Sequence, residues 1–247
     1  MVVQPPDGSA AFALMTSAMD PHALLARGRR RLKANSRRSR VAILEHEGLR
    51  PKIDPTARIA PTATVCGDVT IGPNTSVGFG AVIVAESGPV EIGANCVIMD
   101  TAVLRGLKHS KLTLGDNVLV GPRAYLTGCT IEDDVFLATG CTIFNGAIIG
   151  RQSEVRINAI VHLKTRLPKG AMVPLNWIAV GDPAVILPPE DHEKIWAIQK
   201  PLDFPRYVFG VERPPPGETI MPEVMPRYAA ALCRRHATDC EVTIVSL

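Results

Sequence analysis

From Ile59 onward a large aliphatic residue returns every six positions. The chain reads IAPTAT, VCGDVT, IGPNTS, VGFGAV and IVAESG, slips, and resumes as IGANCV and IMDTAV. A second interruption, LKHSKLT, precedes LGDNVL, VGPRAY, LTGCT, IEDDVF, LATGCT, IFNGAI, IGRQSE, VRINAI and VHLKTR. An aliphatic residue opens nearly every hexad, and a Gly or another small or polar residue usually follows it. A β-sandwich would alternate with a period of two and turn every 8–12 residues or so, which a period of six does not match. A coil of three short flat strands does match, because each strand plus its corner uses about six residues. The opening Ile, Val or Leu then points inward and stacks on its counterpart one coil below. Gly, Asn and Asp suit corners that need a left-handed backbone. The pattern predicts an all-β core, a left-handed parallel β-helix of roughly six coils between Ile53 and Val161, at about 18 residues per coil.

The flanks lack this period. Residues 1–50 form an N-terminal extension, residues 51–176 the β-helix, and residues 177–247 a C-terminal extension, with α-helices expected at both ends. Asp20-Pro21 has the form of a helix start, with Asp20 as N-cap. Trp177 to Ala184 reads as an exit strand and turn. Pro188-Pro189-Glu190 then opens a helix to about Lys200, and a second helix is expected from Pro222 to His236.

Composition narrows the picture. Hydrophobic residues are 46% of the chain and aromatics only 4%, so the core must be aliphatic. The net charge of +3 is too small for a global nucleic-acid signature. One local concentration stands out, eight Lys or Arg from Arg27 to Arg40 without an acid. Contact with an acidic partner, RNA or anionic lipid is one reading, and an Arg- and Ser-rich transit sequence another. A solvated basic arm is favoured because no aromatics are interleaved to stack on bases. The six cysteines, Cys66, Cys96, Cys129, Cys141, Cys233 and Cys240, include no CxxC pair. Buried reduced thiols are expected rather than a disulfide framework. No apolar run is long enough to span a membrane and no secretory signal is evident, so a soluble, cytoplasmic protein is expected.

The segment LGDNVLVGPRAYLTGCTIEDDVFLATGCTIFNGAIIG, with the later VGDPAVILPP and its helix, resembles the γ-class carbonic anhydrase-like family over about residues 52 to 200. The resemblance implies a homotrimer with active sites between subunits, each holding zinc on three histidines. The positions matching those ligands carry Arg105, Pro122 and Thr127, and the family's Arg-Gly-Asp segment matches Val84-Ala85-Glu86. Proline offers no ligand, threonine a poor one, and arginine a fixed positive charge. No metal is therefore expected, and no cofactor.

Two functions follow from the resemblance. One is a zinc-free relative acting as an assembly scaffold or binding a small anionic ligand. Arg105, Lys108 and Arg123 would make its cleft cationic, and Tyr125 and Thr127 would add hydroxyls, although strand alternation sends a neighbour of these two inward. The other is an acyltransferase with an acyl-CoA donor and His109 as general base, an analogy drawn from fold alone. His162 is expected to be structural. His22, His46, His192 and His236 stand isolated from any ligand-like spacing.

Overall fold

The computed structural model of the protein describes residues 41–242. The helix start expected at Asp20-Pro21 and the basic arm Arg27 to Arg40 lie outside the described residues. The chain winds through three parallel sheets, two of seven strands and one of ten, as a left-handed parallel β-helix. Within the coils each strand pairs with the equivalent strand of the coil before and the coil after.

The hexad openers form the core. In the ten-stranded sheet Ile43, Val65, Ile83, Leu104, Leu126, Ile143, Val161 and Ala179 stand in direct register. All are 3% exposed or less. Comparable ladders run Ile71, Ile92, Leu114, Ile131, Ile149 and Leu167 in the second sheet, and Ile59, Val77, Ile98, Val120, Leu137, Val155 and Val173 in the third. Burying one such side chain stabilises by about 1.5–3 kcal/mol, so the repeat is the main source of stability. The corners are left-handed, and one of them stacks Asn74, Asn95, Asn117 and Asp134, all with φ between 55° and 61°. The Asn74 amide donates to Asn95 at 3.3 Å, Asn95 to Asn117 at 3.4 Å, and Asn117 to Asp134 at 2.9 Å. Short polar side chains thus tolerate the backbone and satisfy one another across coils.

The β-helix is longer than the hexads announce. A strand at Ala42–Glu45 pairs with Thr64–Cys66, and Ile178–Val180 continues the same sheet beyond residue 176. Seven coils precede that last strand. The exit is the expected strand and turn, followed by a strand, Val185–Leu187, that folds back antiparallel. Helix α1 spans His192–Gln199, a 3-10 turn follows at Lys200–Leu202, α2 spans Phe204–Phe209 and α3 Met221–His236. After α3, Cys240–Glu241 pairs antiparallel with Ala42–Glu45, which covers an edge that would otherwise invite another strand. Among the described residues no helix is long and apolar enough to cross a membrane. Cys66, Cys96, Cys129 and Cys141 are buried free thiols, while Cys233 and Cys240 are exposed.

Candidate functional site

The interruptions in the six-residue period build the site. After Ala42–Glu45 and after Val103–Gly106 the chain leaves its coil for a two-residue turn, closed by His46 with Leu49 and by Leu107 with Ser110. The Val82–Ala85 strand is followed by its own excursion through Glu86 and Ser87. These protrusions share one corner of the β-helix. Gly106 permits their close stacking, since a Cβ there would collide with the carbonyl oxygens of Gly88 and Pro89.

In the strands leading to this corner Arg105 stands between Val84 and Thr127. Alternation sends Leu104 and Leu126 inward and turns Arg105, Tyr125 and Thr127 outward. Glu86 is buried, with 3% of its surface exposed. Its carboxylate forms an ion pair with the Arg105 guanidinium and accepts a hydrogen bond from the Tyr228 hydroxyl of α3 at 3.4 Å.

Helices α2 and α3 close over this corner and leave a cavity of about 470 Å³. Its walls include Lys108, His109 and Ser110 from the turn and Phe209, Arg227 and Tyr228 from the helices. Arg227 is tied to Glu223 at 2.9 Å and the neighbouring Arg235 to Glu47 at 3.8 Å. Lys108 has no acidic partner among the described residues.

The structure therefore divides the residues singled out in the sequence. Lys108 and His109 line the cavity, and Arg105 pairs with Glu86 at its wall. Thr127 is buried beside Arg105. Tyr125 is half-buried two residues upstream. Arg123 sits at a left-handed corner with φ 58°, four residues or ~13 Å of extended chain from Thr127. It does not join the group. His109 is exposed, and among the described residues no acid is hydrogen bonded to its ring. The helical wall of the cavity and the part played by Glu86 have no signal in the sequence, because Glu86 and Tyr228 are 142 residues apart.

A family model described as the hexapeptide repeat of succinyl-transferase matches residues 68–99 and 111–153. Gamma carbonic anhydrase 1, mitochondrial, of Arabidopsis thaliana is 35% identical over 127 residues, covering 49% of this chain and 46% of that protein. Gamma carbonic anhydrase 2, mitochondrial, of the same plant is 30% identical over 159 residues, covering 62% and 57%. The chain is similar to γ-carbonic-anhydrase-like hexapeptide-repeat proteins. Carnitine operon protein CaiE of Escherichia coli (strain K12) is a further relative, 32% identical over 115 residues, covering 47% of the chain and 59% of that protein. The chain thus spans about half the length of these curated relatives.

In this γ-carbonic-anhydrase-like chain the positions matching the family's zinc ligands do not form a zinc donor set. Arg105 is a cation already committed to Glu86, Pro122 has no donor atom, and Thr127 offers only a hydroxyl. Zinc chemistry at those positions has no support from the groups present. Metal-ligating residue types do occur elsewhere on the same corner, contrary to the isolation expected of His46 and His236. The fold gathers His46, Cys66 and Asp239 at the first two coils, with His236 beside them.

Proposed function

We propose that this chain is a homotrimeric γ-carbonic-anhydrase-like protein that binds a small anion, a carboxylate or phosphate compound, in the cavity between the Leu107–Ser110 turn and helices α2 and α3, and does not hydrate CO₂ at the family's zinc position. The observation that carries this reading is the substitution of the ligand set by the Glu86–Arg105 pair. That pair neutralises the buried acid, and among the described residues Lys108 is the cation at the cavity with no acidic partner. A single ammonium beside His109, with two tethered guanidiniums nearby, suits an anion and repels a cation. Trimerisation is supported by apolar side chains on the outer face of the third sheet, where Val97, Phe136 and Met172 are 41 to 51% exposed.

The test is calorimetric titration of the full-length protein with phosphate, bicarbonate, citrate and acetyl-CoA, alongside a CO₂ hydration assay. Binding of a simple anion that Lys108→Ala weakens at least tenfold, without hydration, is the expected result. Measurable CO₂ hydration, or affinity indifferent to Lys108→Ala, overturns it. The presence of His109 in the same cavity favours a second reading, an acyltransferase. It requires acetyl-CoA to bind and His109→Ala to abolish transfer.

A further inference from the structure

Directly beside the Glu86–Arg105 pair, at the same corner, lies a second cluster drawn from three distant parts of the chain. His46 follows the first strand, Cys66 ends the strand paired with it, and Asp239 lies between α3 and the last strand. His46 is 2% exposed, Cys66 3%, and the Asp239 side chain 17%. One donor atom from each falls within 4.8 Å of the other two.

Counting hydrogens shows what this cluster lacks. His46 Nε2 faces the Glu86 carbonyl at 3.2 Å, and a carbonyl only accepts, so Nε2 carries a hydrogen. His46 Nδ1 faces Asp239 Oδ1 at 2.7 Å. In a neutral imidazole that nitrogen presents a lone pair to a carboxylate oxygen, which is repulsive. A hydrogen or a metal cation must therefore lie between Nδ1 and Oδ1. The other carboxylate oxygen of Asp239 receives the His236 ring at 2.7 Å, and the two imidazoles are 4.8 Å apart.

We propose that this is a divalent transition-metal site, with His46 Nδ1, Cys66 Sγ and Asp239 Oδ1 as ligands and zinc as the ion whose chemistry fits them. The donor set is nitrogen, thiolate and carboxylate, the combination that borderline-soft Zn²⁺ takes. The Glu86 carbonyl is the outer-shell acceptor that fixes a ligating histidine's ring and tautomer, and His236 plays that part for Asp239. Binding releases the thiol proton of Cys66 to solvent, and a dication among one thiolate and one carboxylate leaves no net charge. Tetrahedral zinc, with bonds of about 2.0–2.3 Å, sets ligand atoms about 3.3–3.8 Å apart. The cluster therefore reaches ligation by side-chain adjustments of about 1 Å against that spacing. Because Asp239 belongs to the C-terminal segment, the ion would staple that segment to the first coil, 193 residues away along the chain.

The test is anaerobic titration of chelator-treated full-length protein with Co²⁺, followed by displacement with Zn²⁺. One equivalent should give visible d–d absorption with a thiolate-to-cobalt charge-transfer band. Cys66→Ser should remove that band, and Asp239→Asn should weaken binding at least tenfold. His236→Ala should weaken binding by about 10–100-fold with the band retained. Circular dichroism of each variant separates loss of ligation from loss of fold, and Asp239→Asn, near-isosteric and on the tail, serves if Cys66→Ser does not fold. No spectral change up to millimolar Co²⁺ overturns the proposal. A spectrum that both Cys66→Ser and Asp239→Asn leave unchanged also overturns it, since the metal then binds elsewhere.

Discussion

Arg105→Met tests whether the Glu86–Arg105 pair is what holds the candidate site together. Methionine keeps the aliphatic length of the arginine and removes its charge, so the perturbation falls on Glu86. That carboxylate has 4% of its side chain exposed and would lose its ionic partner. Removing one member of a fully buried pair costs about 3–5 kcal/mol. Here the Arg105 side chain is 35% exposed and the Tyr228 hydroxyl still reaches the carboxylate, so the loss should be about 2–3 kcal/mol. For a domain of this size each kcal/mol moves Tm by about 2–4 °C, which gives a fall of about 4–12 °C. The assay is urea unfolding of the full-length protein followed by circular dichroism, run for wild type, Arg105→Met, Glu86→Gln and the double variant. The double variant should be more stable than Arg105→Met by about 1–2 kcal/mol, because no charge is left stranded. Additive losses, or an Arg105→Met variant within about 0.5 kcal/mol of wild type, would refute the idea that the arginine is there to neutralise Glu86.

Three further outcomes are expected. His162, packed against Phe144 with ring centroids 5.8 Å apart, has a buried Nδ1 atom without a partner among the described residues, and burial holds its pKa below the ordinary value. The unfolded chain then takes up a proton near pH ~6.5 that the folded ring resists, so stability falls as pH drops below that value; His162→Gln should flatten this part of a stability–pH curve measured from about pH 5 to 7. Gly106→Ala places a Cβ against two backbone carbonyls that cannot turn aside, and should lower the urea unfolding free energy by about 2–4 kcal/mol. Burial pushes the Cys66 thiol up to about 11 and that of Cys141 up to about 12, so a thiol reagent at neutral pH should label Cys233 and Cys240 quickly and the four buried cysteines only after unfolding.

The β-helix is legible in the amino-acid pattern alone, because its information repeats locally. Each inward Ile, Val or Leu meets the equivalent residue one coil on, so the period of six carries the whole ladder from Ile59 to Val161. Capping and propensity likewise sufficed for α1 and α3, whose observed bounds lie within about four residues of those read from Pro188 and Pro222. The first strand, Ala42–Glu45, escaped that reading because the excursion after it breaks the period. The site is assembled by contacts between segments far apart along the chain. Glu86 is the partner of Arg105, and the cavity over Lys108 and His109 depends on helices more than 90 residues later in the chain. The same holds for His46 and Asp239, which stand isolated in the sequence and 2.7 Å apart in the fold. Periodicity reports what stacks on what along the coil. The docking of a non-repeating tail on the coil's corner depends on surface shape and charge, and those exist only once the β-helix has formed.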